Sequence, residues 1–133
     1  MTYKSVKEFL EKNKEQEAAI QAGIDFHKLA ERGELPATVF EKTPALREFF
    51  SDAARAEVPL AGTIGGNFVS RRIDRMTLSE AEVKFLDFKT GGGDADDYRR
   101  QMSEYSELLS EIYPGKKIRG FIYWVEKAEL QEV

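Results

Sequence analysis

The fold of this chain is decided by residues 73–90, which read IDRMTLSEAEVKFLDFKT. Apolar residues flank the polar segment 79–82 on both sides, a pattern that predicts two antiparallel strands joined by a turn. If the hairpin closes symmetrically around that turn, Met76 faces Phe85 and Asp74 faces Asp87. The sequence therefore predicts two carboxylates that stand directly opposite each other on neighbouring strands.

An opposed pair of aspartates needs a compensating charge. Cross-strand partners have Cβ atoms about 5 Å apart, where like charges repel unless one carboxyl holds a proton or a cation lies between them. Lys89 shares a strand face with Asp87, so an ammonium group is expected beside the pair. Oxygen ligands suit Mg²⁺ or Mn²⁺, and this combination predicts a phosphodiester hydrolase. The alternative is that both aspartates are surface charges paired with Arg71, Arg75 or Lys89.

The N-terminal third has a helical pattern. Apolar residues recur at helical spacing over residues 5–31, which predicts one or two helices interrupted at Gly23. Gly33 and Pro36 are expected to end this run, since neither residue suits a helix interior.

Beyond this run the pattern changes. Thr43 and Pro44 have the residue types of an N-cap and a first helical turn, which predicts a short helix through Phe50. Three strands of an antiparallel meander are predicted over residues 57–61, 67–77 and 83–90. An amphipathic helix, a buried strand over 118–125 and a C-terminal edge strand follow. The order predicts an α/β (α+β) fold.

Length and composition limit the class of protein. The 133 residues match one domain, and 41% hydrophobic with 33% charged residues predict a folded chain. A net charge of −4 weighs against a protein held to nucleic acid by bulk charge alone. The absence of cysteine excludes a cysteine-bound iron–sulfur cluster and a disulfide framework. No apolar run approaches the roughly 20 residues that span a bilayer. We therefore expect a cytoplasmic protein with no membrane partner.

Four further polar residues lie at spacings that bring side chains together. His27 and Glu31 are four apart on a predicted helix, and so are Gln101 and Tyr105 on the later one. The histidine could ligate a metal, and the amide and the phenol could hydrogen-bond a phosphate. The alternative is a structural histidine, a surface glutamine and a core tyrosine.

Several motifs together resemble the RecB-like branch of the PD-(D/E)xK nuclease superfamily, and are similar to the C-terminal nuclease domain of AddA-type helicase–nuclease subunits. The likeness covers about residues 23 to 125. Its motifs are GIDFHKL, AEVPLAGTIGG, RRIDRM, FLDFKT, YRRQMSEY and YPGKKIRGFIYW. Phe88 stands where the family commonly has tyrosine, and Arg71 and Arg72 stand where it often has small residues.

The resemblance implies a restriction-endonuclease-like core with a mixed central sheet, formed by residues 23–133 after an N-terminal helical segment, 1–22. It implies that His27, Asp74 and Asp87, with the main chain of Phe88, bind Mg²⁺ or Mn²⁺. It also implies that Lys89 is catalytic. Gln101 and Tyr105 would support the site, and no iron–sulfur cluster is expected.

The implied function is a metal-dependent nuclease that is exonucleolytic on single-stranded DNA, which a helicase supplies during double-strand break repair. Helicase domains of the same polypeptide and an AddB-type subunit would be its partners. The alternatives are a non-catalytic module that docks DNA or subunits, and a stand-alone phage-type or Cas4-like exonuclease. The arginines available to hold the strand are Arg71, Arg72, Arg75, Arg99 and Arg100.

Overall fold

The computed structural model describes residues 6–91 and 95–133, which form three α-helices, one 3₁₀ helix and five strands. The elements are α1 (Val6–Arg32), α2 (Ala37–Lys42), a 3₁₀ helix (Pro44–Phe50), β1 (Ala54–Ile64), β2 (Asn67–Leu78), β3 (Glu82–Lys89), α3 (Ala95–Ile112), β4 (Lys117–Trp124) and β5 (Glu129–Glu132).

The five strands form one mixed sheet in the order β1-β2-β3-β4-β5. The first three are antiparallel neighbours, so the predicted meander is confirmed. β4 runs parallel to β3, and α3 lies between these two strands in the chain. This is the crossover that a parallel pair requires. β5 pairs antiparallel with β4 at the edge. The fold is therefore α+β, with helices flanking a mixed sheet.

One face of the sheet packs against α3. Successive side chains of β3 point to opposite faces of the sheet. Val83 and Phe85 point towards α3, whereas Leu86 and Phe88 point to the opposite layer. Gly120 on β4 is required by this packing, since a Cβ there would lie 2.5 Å from the ring of Phe85. The buried residues of this layer are Leu60, Ile73, Met76, Val83, Phe85, Met102, Tyr105, Leu108, Leu109 and Ile122.

The opposite face packs against the end of α1, the segment after it and the 3₁₀ helix. The buried residues of this layer are Ala30, Leu35, Leu46, Phe49, Leu86, Phe88, Phe121 and Tyr123. Phe26 of α1 contacts Phe88 edge-on, with 5.3 Å between ring centroids. This contact brings the next residue of α1, His27, to the end of β3.

Several elements differ from the sequence prediction. α1 continues through Gly23 without interruption and crosses the expected boundary between residues 22 and 23. Residues 1–5 of the expected N-terminal segment lie outside the described part of the chain. α2 was not predicted. The short helix to Phe50 is a 3₁₀ helix, and Thr43 does not cap it, because the Thr43 hydroxyl donates to the carbonyl of Ala128 at 3.3 Å. Gly33 ends α1 as predicted.

The helices of the described residues include none with the length and apolar character needed to cross a membrane.

Candidate active site

The site lies where β2 and β3 separate. Their backbone ladder runs from Leu78↔Val83 to Arg75↔Leu86, in the register predicted from the turn. The ladder stops one position before Asp74. There the Asp74 side chain takes the place of a backbone acceptor, since its Oδ2 receives the N–H of Phe88 at 2.8 Å. Asp74 is therefore held at the point where the two strands part, beside Asp87.

β1 brings a third carboxylate to this point. Ala56 pairs with Arg75 and Val58 pairs with Ile73, so Glu57 lies opposite Asp74. Glu57 has a left-handed backbone with φ of 51°, which a side-chain-bearing residue rarely adopts. A strained backbone of this kind persists only where the surrounding structure holds it in place, and such positions cluster at functional sites. Three adjacent strands thus place acidic residues in one row across the sheet.

Burial and charge act together on Asp74, whose side chain is only 15% exposed. Burial is the main cause that raises the pKa of Asp74 to about 8, followed by its contact with the Asp87 carboxyl and the negative charge there. The N–H of Phe88 opposes this rise, and the charge of Glu57 adds to it. Asp74 therefore holds a proton at neutral pH, which is one of the two ways an opposed carboxyl pair relieves its repulsion.

Lys89 occupies the other side of Asp87. Its Nζ lies 2.6 Å from Asp87 Oδ2 and donates to Gln101 Oε1 at 2.5 Å. The contact from Lys89 Nζ to Asp87 Oδ2 does not have the angles of a hydrogen bond. The buried Oδ2 atom is therefore neutralised by an ion pair but accepts no hydrogen bond. The ring of Tyr98 lies 4.7 Å from the same ammonium. Lys89 is thus held by a carboxylate, an amide and an aromatic face.

His27 reaches the site from α1. Its Nε2 lies 3.0 Å from the carbonyl oxygen of Phe88 and 3.6 Å from Asp74 Oδ2. In the tautomer that carries its proton on Nε2, the ring donates to Phe88. The imidazole, the Asp74 carboxyl and the backbone of Phe88 therefore meet at one place.

Tyr105 lies beneath the carboxyl pair. Its ring packs edge-on against Phe85, and its hydroxyl donates to the carbonyl of Arg72 at 3.4 Å. Burial, and then the charges of Asp87 and Asp74, raise the pKa of the Tyr105 hydroxyl above its ordinary value. The phenol therefore stays protonated and serves as a neutral hydrogen-bond donor.

Among the described residues, no group of three His, Asp or Glu side chains is arranged to hold a metal ion as they stand. His27 is directed at Phe88, and Lys89 lies against Asp87. The donor types nevertheless fit Mg²⁺ or Mn²⁺, since carboxylates, a main-chain carbonyl and an imidazole are available together. A cation held by this set would replace contacts that His27 and Lys89 make.

The expected DNA-binding arginines of β2 have three different surroundings. Arg71 pairs with Glu104 at 3.0 Å, and the Arg72 side chain is 68% exposed, 3.8 Å from Glu57. Arg75 lies in the interior, 7% exposed. It therefore contributes to the fold rather than to an exposed surface.

Arg75 donates to three backbone carbonyls, those of Ala30, Glu31 and Phe49, and its guanidinium stacks 4.2 Å above the ring of Phe50. Two of these carbonyls belong to the last turn of α1, where a cation interacts favourably with the helix dipole. Arg75 thus joins β2 to α1 and to the 3₁₀ helix.

The two arginines of α3 are exposed. Arg99 pairs loosely with Asp96 at 3.8 Å, and its side chain is 79% exposed. Arg100 lines an open cleft of about 450 Å³ beside Lys89, together with Arg71, Tyr98 and Gln101. This cleft connects the predicted catalytic lysine to solvent.

Two residues of the site were absent from the sequence prediction. Glu57 could have been found, because the turn at Gly65–Gly66 sets the register of β1 and β2, and symmetric counting from it places Glu57 opposite Asp74. No comparable signal marks Tyr98, since its contact with Lys89 depends on how α3 packs on the sheet.

Comparison with known protein families and with curated proteins finds no family model and no curated protein that matches this chain.

Proposed function

We propose that this protein is a metal-dependent nuclease that hydrolyses phosphodiester bonds of single-stranded DNA. The observation that carries the proposal is the buried contact between Asp74 and Asp87, with the ammonium of Lys89 2.6 Å from the second carboxyl. Burying two carboxyl groups together raises the pKa of one and costs stability, so a structural role explains the arrangement poorly. A site that receives a cation and a phosphate explains it well.

Hydrolysis joins a water oxygen to phosphorus, breaks the bond from phosphorus to one ester oxygen and transfers a proton to that leaving oxygen. Asp74, Asp87, the carbonyl of Phe88 and His27 are the residues that would hold Mg²⁺ or Mn²⁺. When bound, such an ion orients the phosphate and increases the acidity of water.

Lys89 has the second role. Its ammonium is fixed by Gln101 and Tyr98, so it needs little rearrangement to donate to a phosphate oxygen. A fixed cation in a partly buried place stabilises the negative charge that develops on the phosphoryl oxygens. Gln101 acts by positioning Lys89, and Tyr105 supports the floor of the site through its contact with the Arg72 carbonyl.

The wider setting is part of the same proposal. A net charge of −4 gives the chain little general attraction for DNA, so a helicase that delivers a single strand would provide the affinity. Helicase domains and an AddB-type subunit are the partners we propose, in cytoplasmic repair of double-strand breaks.

The proposal is tested by incubating a labelled single-stranded oligonucleotide with the protein in Mn²⁺, in Mg²⁺ and in chelator. We expect cleavage with metal, none with chelator, and none by Asp87→Ala. Asp52→Ala is the matched control, because Asp52 is exposed and lies away from the site.

Two results would count against the proposal. If wild-type protein cleaves no DNA with either metal and binds neither ion in calorimetry, the nuclease function is rejected. If DNA binds equally well to wild type and to Asp74→Ala, with or without chelator, and is never cleaved, a non-catalytic docking module takes its place.

A further inference from the structure

Strands β1 and β2 extend beyond the candidate active site as a two-stranded ribbon. β3 pairs with β2 only over residues 75–78, whereas β1 and β2 remain paired to the turn at Ile64↔Asn67. The inner face of the ribbon packs on α3 through residues such as Leu60 and Ile73. The outer face is formed by the cross-strand pairs Pro59↔Arg72, Ala61↔Ser70 and Thr63↔Phe68.

All six side chains of this outer face are exposed. Phe68 is 77% exposed, more than any other large hydrophobic residue described, and it lies next to the tip of the ribbon. Arg72 lies at the other end of the face, next to Glu57 and the carboxyl pair. The face therefore leads from a solvent-exposed aromatic ring to the site.

The charge of this face contrasts with the rest of the chain. None of its six residues is acidic, although 24 of the 133 residues are aspartate or glutamate. Its single charge is the guanidinium of Arg72. A polyanion that approaches the site along this face meets one cation and no carboxylate before it reaches Glu57 and Asp74.

We propose that the outer face of the ribbon binds a single strand of nucleic acid, with the ring of Phe68 stacked on a base and Arg72 paired with a phosphate. The proposal that the strand is then cleaved rests on the proposed function; the binding does not. A duplex is a poorer occupant, because an aromatic side chain stacks on a base only when that base is unstacked from its neighbour.

The length of the face predicts how many nucleotides are needed. Asp74 lies six positions after Phe68 on β2, which is about 20 Å of extended strand. A strand that contacts both the carboxyl pair and the ring of Phe68 must therefore span that distance.

The test is fluorescence anisotropy with labelled oligothymidylates of about 4 to 16 nucleotides, the range of single-strand site sizes, in chelator so that nothing is cleaved. Phe68→Ala should weaken binding of the longer oligonucleotides by about tenfold. Phe68→Trp should bind as wild type does. Arg72→Ala should weaken binding and reduce the slope of log affinity against log salt by about 1.

Two matched controls lie on the same strands at the other end of the sheet. Leu78→Ala removes an apolar side chain that is 45% exposed on β2, and Arg55→Ala removes an exposed guanidinium on β1. Both should bind as wild type does. Circular dichroism of each variant verifies that the fold is retained.

The inference is overturned if wild type binds no oligonucleotide, if Phe68→Ala binds as tightly as wild type at every length, or if sedimentation shows a wild-type dimer that Phe68→Ala dissociates. The last result assigns the face to a second copy of the chain. These outcomes are separable from failure of the nuclease proposal. If binding depends on Phe68 but no DNA is cleaved in Mn²⁺, only the nuclease proposal is rejected. If Phe68→Ala cleaves and binds DNA as wild type does, only the proposal for the ribbon is rejected.

Discussion

Asp74→Asn is expected to make the folded protein more stable at neutral pH. The folded state keeps a proton on Asp74, whose pKa is raised from 3.8 to about 8, whereas the unfolded chain releases it. The unfolding free energy of wild type therefore falls as pH rises from about 4 to about 8. Each pH unit in this window costs up to about 1.4 kcal/mol, so the loss at pH 7 is on the order of 4 kcal/mol.

Asparagine removes this loss because it carries no titrating proton. Its amide oxygen can still accept the N–H of Phe88, so the local hydrogen bond is retained. We expect the variant to be more stable than wild type at pH 7, by up to about 4 kcal/mol, and the difference to disappear near pH 4.

Urea unfolding followed by circular dichroism, in chelator and over pH 4 to 8, measures this difference. Asp52→Asn, at an exposed aspartate, is the control and should show no comparable change. A variant that is no more stable than wild type at pH 7, or a difference that does not vary with pH, would refute the reasoning.

Three other substitutions separate chemistry from folding. Lys89→Met should lower DNA cleavage in Mn²⁺ by about 100-fold or more, while anisotropy in chelator finds DNA binding retained; equal cleavage would remove Lys89 from the mechanism. Arg75→Leu should cost roughly 2 to 4 kcal/mol in urea unfolding because buried carbonyls lose their donor, whereas the exposed control Arg55→Leu should cost little. Gly120→Ala should cost about 1 to 3 kcal/mol, since its Cβ would lie 2.5 Å from the Phe85 ring, and an unchanged midpoint would show that the ring moves freely.

The register of the site could be predicted because it depends on local information. The polar turn between β2 and β3 and the apolar residues around it fix which positions face each other, and the structure has that register up to Arg75↔Leu86. The end of the ladder could not be predicted in the same way. The ladder ends because the Asp74 side chain, rather than a backbone carbonyl, accepts the N–H of Phe88. The pattern of polar and apolar residues does not show which of the two acceptors is used.

Long-range packing explains the remaining differences. Arg75 has the same residue type and strand as Arg71 and Arg72, yet it lies inside because α1 and the 3₁₀ helix bring backbone carbonyls to it. The helix α1 continues through Gly23 because a glycine in a helix costs only about 1 kcal/mol, which the packing of its last turns offsets. The contact of His27 with the site depends on that same packing.

The central claim is that Asp74 and Asp87 together bind a divalent cation that a phosphodiester hydrolase requires. Titration of the protein with Mn²⁺ in a calorimeter, at pH 7 in two buffers that differ in their heat of ionisation, tests it most directly. We predict binding with release of about one proton, because Asp74 must lose the proton it holds, and no binding by Asp87→Ala. The claim would be contradicted if Mn²⁺ gave no heat of binding with wild type, or the same heat of binding with wild type and with Asp87→Ala.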